Sequence, residues 1–287
     1  MAERSAGAGA GRRRPARHPA AVLNTSKPSA PAVVLCIGGH DPSTAGIQAD
    51  IETCAAFDCL ALTVVSAWTT QNTAGLERVV PADADDVIHQ IELLLQEFPV
   101  HALKTGLLPT PEICERLAGL FSRRLPDCPL VIDPLLRAGS GGLLIQAHME
   151  DSFLRQLLPL ATVLTPNRHE ALHFGASEQP AEAVAQLLAR GCQNVLLTDA
   201  LADGQDIVNQ LHSREDAMES FTMARFDGDY HGTGCTLATA IACGLAEGRS
   251  VPQAVREAQQ FVHRAVAQAW RPGSRQHIPR RTPSLRT

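Results

Sequence analysis

The chain has 287 residues and a formal net charge of −5, with 45% hydrophobic, 19% charged and only 4% aromatic residues. A mildly acidic balance gives no electrostatic footprint for nucleic acid, and so few rings offer little platform for base stacking, so the expected partner is a small molecule. No run is long and apolar enough to cross a membrane. Eight cysteines lie scattered through apolar runs without a Cys-x-x-Cys pair or a secretory leader, which reads as reduced, mostly buried thiols in a cytoplasmic protein.

Residues 1–31 are rich in Ala, Gly, Arg and Pro and carry the basic cluster Arg12-Arg13-Arg14 and Arg17. Such a stretch buries too little apolar surface to offset its ordering entropy and is expected to be a disordered extension. It shares the Arg-rich, acid-poor composition of an organellar transit peptide, with little of the amphipathic periodicity. Residues 32–287 are then expected to form a single domain.

From Ala32 onward, short apolar runs alternate with helical patterns. The strands are predicted at Val33–Ile37, Ala61–Val65, Val100–Lys104, Leu130–Asp133, Thr162–Thr165 and Asn194–Thr198. Between them, helices are predicted around Ile47–Phe57, Ala84–Glu97, Pro111–Arg123, Ser152–Leu158, Glu170–Phe174 and Ala181–Ala189. This alternation implies βαβ units and a mainly parallel sheet covered on both faces, an α/β three-layer sandwich. Ligands in that architecture collect at the carboxyl ends of the strands.

The polar residues fall there. After the first strand, Gly39-His40-Asp41-Pro42-Ser43-Thr44-Ala45-Gly46 feeds a helix that Asp41 or Ser43 can cap, with Asp50 about one turn inside on a packing surface where a hydrogen-bonding task is expected. After the second, the loop Thr69-Thr70-Gln71-Asn72-Thr73 offers amides that present donor and acceptor side by side to a heteroaromatic edge. The third ends in Lys104-Thr105-Gly106-Leu107-Leu108, the fourth in Asp133-Pro134 and then Ala138–Gly142, and the fifth in Thr165-Pro166-Asn167-Arg168-His169-Glu170. Asp133, Asn167 and Glu170 together suit a hydrated Mg2+, which takes about one or two carboxylates plus water and substrate phosphates.

His169-Glu170-Ala171-Leu172-His173 also matches H-E-x-x-H, the zinc-protease pattern. The extended form fails, because positions 176 and 179 are Ala and Gln, and both histidines are expected on the surface of a short helix.

Near the carboxyl end, Tyr230-His231-Gly232-Thr233-Gly234-Cys235-Thr236 precedes the apolar run Leu237–Leu245. Small residues let backbone N–H groups converge on an anion at a helix N-terminus, and the position is expected to lower the Cys235 thiol pKa so that it can take a proton from an attacking hydroxyl.

In this order the motifs closely resemble the hydroxymethylpyrimidine/phosphomethylpyrimidine kinases of thiamine biosynthesis, members of the ribokinase-like superfamily, over roughly residues 32 to 282. The resemblance implies ATP-dependent phosphorylation, with Mg2+, of the pyrimidine hydroxymethyl group and then of its monophosphate, and it favours a homodimer. It implies that Gln71 pairs with the aminopyrimidine edge, that Asp50 contacts the substrate's polar groups, and that Gly39 and Leu107 shape the pocket. Cys235 matches the general base, and the backbone of Gly232, Thr233, Gly234 and Cys235 the anion hole. Asp133, Asn167 and Glu170 match positions around the metal and the nucleotide phosphates.

Three segments depart from the family pattern: the shortened Ser43-Thr44-Ala45-Gly46, Gly139-Ser140-Gly141 beside Arg137, and Thr198-Asp199-Ala200-Leu201 in place of a lysine- or threonine-led glycine turn. A carboxylate at 199 would repel phosphate. The Asp199-Ala200 replacement raises a second reading, a pyrimidine-binding relative with impaired catalysis, and the sequence alone leaves a pyridoxine-type vitamin kinase as a third.

Overall fold

In the computed structural model, residues 30–135, 149–201, 206–214 and 218–282 are described. Arg137, the glycine-rich residues 138–142 and residues 1–29 of the proposed extension lie outside them. The strands are β1 (Val33–His40), β2 (Leu60–Asn72), β3 (Gly75–Pro81), β4 (Ala102–Thr105), β5 (Leu130–Ile132), β6 (Val163–Leu164), β7 (Asn194–Leu197), β8 (Asp206–Ser213) and β9 (Glu219–Ala224). They form one sheet in the order β3-β2-β1-β4-β5-β6-β7-β8-β9. Strands β2, β1, β4, β5, β6 and β7 run parallel, whereas β3, β8 and β9 pair antiparallel at the two rims.

The parallel strands are largely apolar because both faces are covered, and period-two alternation divides their side chains between two cores. On β1, Val33, Leu35 and Ile37 enter one core, which is roofed by α2 (Ala84–Glu97), α3 (Pro111–Arg124), α5 (Arg168–Phe174) and α6 (Pro180–Ala189). Val34 and Cys36 enter the other, roofed by α1 (Ile47–Ala56), α7 (Thr233–Ala246) and α8 (Val251–Ala267). Between α3 and α5, a single turn, α4 (Met149–Ser152), runs into a π-helical turn over Phe153–Leu157.

Local signals explain several boundaries. Asp83 accepts hydrogen bonds from the backbone N–H groups of Asp85 and Asp86 and so fixes the start of α2. Thr110 caps α3 ahead of Pro111, and Ile113, Leu117 and Leu120 recur at the spacing of one buried face. Helix α7 differs: every residue from Cys235 to Gly244 is buried, because the helix lies between the sheet, α1 and α8. Its Ala, Thr, Cys and Gly side chains allow that close approach, and a larger residue there would cost about 1–3 kcal/mol in overpacking.

Two expectations need correction. Thr69–Asn72 is no loop; β2 continues through it and turns into β3, with a register shift between Thr70 and Gln71. Asp41 and Ser43 do not cap α1: Gly46 occupies that cap without a side-chain bond, and Asp41 instead accepts from the Ser43 N–H at 2.7 Å. The rim strands β3, β8 and β9 and helix α8 complete the sandwich beyond the predicted elements. All eight cysteines are free, and all but the half-buried Cys128 are buried. Among the described residues, no helix is long and apolar enough to cross a membrane.

Candidate active site

The carboxyl ends of β1, β2, β4, β5, β6 and β7 open into a cavity of about 620 Å³, closed on one side by the first turn of α7. From β2 to β7 the sheet takes five strand spacings, about 24 Å, enough for a small ring and a nucleotide side by side. Gly39 and Leu107, packed against each other, line one end with Gln71, whose amide donates to Thr69 Oγ1 at 2.8 Å. Asn167, Glu170, Thr198, Asp199 and Arg225 line the other. Between the ends stand Lys104, Asp133 and Gly232–Cys235.

The anion turn has the geometry its glycine demands. Gly232 caps α7 in the left-handed region, at φ 79° and ψ 17°, where a side chain is strained. A Cβ there would also stand 2.7 Å from Arg281 Nη2 and 3.2 Å from Ala45. Thr233, Gly234 and Cys235 follow as the first helical residues, so their N–H groups lack intrahelical acceptors. Asp133 lies beneath Gly234, with its carboxylate oxygens 3.6 and 3.7 Å from the position of a Gly234 Cβ.

Electrostatics at the centre overturn one expectation. Burial pushes the Cys235 thiol up to about 12; Lys104 offsets part of this, and Asp133 and Asp50 add to it. The first turn of a helix lowers a thiol's pKa only where the helix field exceeds desolvation, and here Cys235 is 5% exposed. Burial likewise raises the Asp133 pKa, against the pull of Lys104 and a hydrogen bond with Cys235. One Asp133 oxygen, Oδ2, is buried without a hydrogen-bond partner.

Asp50 does not line the cavity. Fully buried, it receives Lys104 Nζ at 2.8 and 3.0 Å and the Thr239 hydroxyl at 2.6 Å. The expected substrate contact is corrected to an internal ion pair, and Lys104 is the member that faces the cavity. Burial disfavours the Lys104 charge, but Asp50, Cys235 and Asp133 together hold its pKa above the ordinary lysine value.

A second buried pair ties the loop after β1 to the α7 turn. His231 Nε2 lies 2.5 Å from Asp41 Oδ2, and Ser43 Oγ donates to Asp41 Oδ1 at 2.6 Å. Burial opposes the Asp41 charge, yet the His231 and Ser43 hydrogen bonds hold its carboxyl below the usual range. Sequence reading left out Lys104, Asp41 and His231 as site residues; the only signal was their place at strand ends and in the Gly232 motif.

Asn167 and Glu170 form a capping box at α5. Asn167 Oδ1 accepts from the Glu170 N–H at 2.9 Å, and Glu170 Oε2 accepts from the Asn167 N–H at 3.0 Å. Both remain on the cavity wall. His169 and His173 are exposed, and His173 pairs with Glu150 at 2.9 Å. Among the described residues, no three His, Cys, Asp or Glu side chains converge as a metal set, so the H-E-x-x-H match reflects helix surface. The carboxylate feared at 199 is compensated: Arg225, the residue after β9, donates to Asp199 through Nη2 at 2.6 Å and Nη1 at 3.4 Å.

A family model described as phosphomethylpyrimidine kinase matches residues 41–280. A hydroxymethylpyrimidine/phosphomethylpyrimidine kinase of Streptomyces coelicolor is 36% identical over 247 residues, covering 83% of this chain and 90% of the relative. Among solved structures, a Staphylococcus aureus pyridoxal kinase with AMP-PCP and pyridoxal superposes with a TM-score of 0.79 at 27% identity, covering 88% of this chain and 94% of the other. A Clostridium difficile phosphomethylpyrimidine kinase superposes at 0.71 with 29% identity, covering 82% and 99%.

Proposed function

The chain belongs to the phosphomethylpyrimidine kinase family, and from that premise we propose that it transfers the γ-phosphoryl group of ATP to the hydroxymethyl oxygen of 4-amino-5-hydroxymethyl-2-methylpyrimidine, and then to its monophosphate, in thiamine diphosphate biosynthesis. The observation that carries this reading is the Gly232–Cys235 turn, with Asp133 and Lys104 against it, midway between an amide-bearing end and an end with room for a nucleotide.

Gln71 recognises the aminopyrimidine edge, and Gly39 and Leu107 form the floor for the ring. The hydroxymethyl oxygen attacks phosphorus as the bond to the ADP oxygen breaks, and Cys235, as thiolate, takes the hydroxyl proton. The N–H groups of Gly232, Thr233, Gly234 and Cys235, with Lys104, stabilise charge on the transferring group. Phosphoryl transfer asks mainly for positioning and electrostatic stabilisation, which this set supplies.

Mg2+ fits the residues present: Asp133 Oδ2 is buried without a partner, and a hard cation would relieve it. Asp133, with Asn167 and Glu170 through water, would hold the ion, which neutralises phosphate charge when bound. Arg225 binds the nucleotide phosphates in place of the lysine that the chain lacks at 198, leaving Asp199 as its resting partner. The homodimer is expected to cover Trp68 and Val80, which face each other across β2 and β3 and are 51% and 39% exposed.

The likeness to pyridoxal kinase favours a second reading, a vitamin kinase that also accepts pyridoxine-type alcohols. An assay with ATP and both pyrimidines and pyridoxine, products resolved by mass, separates the readings. Diphosphate formation supports the first, phosphorylation of pyridoxine alone supports the second, and binding without turnover leaves the impaired relative.

A further inference from the structure

Behind the anion turn, away from the cavity, lies a buried arginine from the end of the described chain. The strap after α8 returns alongside the segment entering α7: His277 N–H donates to the Asp229 carbonyl and His231 N–H to the His277 carbonyl, both at 2.8 Å. This brings Arg281 under the turn, with a fully buried side chain. Its Nε donates to Thr236 Oγ1 at 2.7 Å, and that hydroxyl donates to the Gly232 carbonyl at 2.7 Å. Nη1 donates to Glu52 on α1 at 3.1 Å. Nη2 is buried without a partner, in the seam between Gly232 and Ala45.

Two physical points give this arrangement meaning. A buried donor of a charged group left unsatisfied is costly, and such costs are rarely kept without a task. A cation held in a low-dielectric interior also projects its field further than one in water. Among the described residues its carboxylate partner is Glu52, which is 40% exposed, and the guanidinium, whose charge is delocalised over its three nitrogens, lies against Gly232 so that its field adds to that of the helix N-terminus.

We propose that Arg281 is a positioning residue for phosphoryl transfer: through Thr236 it fixes the Gly232 carbonyl and the left-handed cap, and its charge strengthens the anion turn from behind without touching substrate. The proposal rests on the kinase reading above. It predicts a selective effect: kcat falls while pyrimidine binding at the other end of the cavity is kept.

The test uses the full chain with Arg281→Met, which keeps most of the volume and removes the charge, and Arg281→Lys, which keeps the charge. The expected result is a kcat loss of roughly tenfold or more in Arg281→Met, a calorimetric pyrimidine Kd within about threefold of wild type, and partial recovery of kcat in Arg281→Lys. Unchanged kcat in Arg281→Met overturns the proposal, as does a parallel loss of kcat and pyrimidine binding that lysine does not restore. If Arg281→Met does not fold, Thr236→Val carries the test, because it cuts the link to Gly232 and leaves the guanidinium in place: a selective kcat loss supports the proposal and unchanged kcat overturns it. Wild-type turnover measured in parallel distinguishes the two levels, since an inactive wild type defeats the kinase reading itself.

Discussion

The middle of the cavity and the end proposed for the nucleotide are built on opposite electrostatic plans. In the middle, Lys104 and Asp50 are both fully buried, and His231 and Asp41 nearly so, each pair joining elements far apart in the chain. At the end proposed for the nucleotide, Arg225 and Asp199 are 36% and 42% exposed and lie in the segments just after β9 and β7. Buried pairs cannot exchange partners cheaply, because a lone charge left behind remains desolvated. An exposed pair is worth little and can be replaced by a phosphate. The difference teaches that the centre holds its groups in place before substrate arrives, whereas the exposed pair can exchange partners, as the proposed binding of nucleotide phosphate by Arg225 would require.

Substitutions can break this contrast, beginning with the largest expected effect. Cys235→Ala is expected to lower kcat by about 10²–10⁴-fold, the usual span for loss of a positioned acid or base; initial rates of ADP formation check it. Lys104→Met strands the Asp50 charge and should destabilise the fold by about 3–5 kcal/mol, read from denaturant unfolding. A neutral partner, as in Lys104→Met with Asp50→Leu, should recover much of that loss, which an exposed pair would not show.

The proton economy of the centre gives a pH test. With its thiol pushed up to about 12, Cys235 is almost wholly protonated at neutral pH, and the thiolate fraction grows about tenfold per pH unit well below the pKa. Hence kcat/KM should climb between about pH 6 and 9, and in Cys235→Asp the climb should move to lower pH, because a carboxylate, even one raised by burial, starts from a lower pKa than a thiol. A flat wild-type profile would remove the thiolate from the mechanism. The smallest effects belong to the rim: Arg225→Ala should raise KM for ATP by roughly tenfold with little change in kcat, and Asp199→Asn should lower it modestly.

Much of the frame was legible in the sequence. The six parallel strands announce themselves as continuous apolar runs, and α2 begins and ends where its cap and periodicity place it, at Ala84 and Glu97. The antiparallel rim was not, because Glu219–Ala224 is short and has only Phe221 and Met223 as large apolar residues, so its half-buried alternation is weak in sequence and becomes a strand through pairing with β8. The positions of Cys235, Asp133 and Gln71 on the cavity followed from their places at strand and helix ends.

What sequence could not supply was the pairing among charges. Asp50 meets Lys104 across 54 positions and Asp41 meets His231 across 190, so a carboxylate that reads as a substrate contact becomes an internal partner. The proton affinity of Cys235 was equally hidden, since it depends on desolvation by layers drawn from the whole chain.

The central claim, that the α7 turn delivers phosphate from ATP to a pyrimidine alcohol, is tested most directly by single-turnover assay of the full chain with Mg2+, ATP and hydroxymethylpyrimidine, products resolved by mass. The account predicts the monophosphate and then the diphosphate, with one ADP released for each phosphoryl group transferred and hence two for each diphosphate, and nearly complete loss of both products in Cys235→Ala. ADP formation that does not depend on the pyrimidine, or full activity in Cys235→Ala, would contradict it.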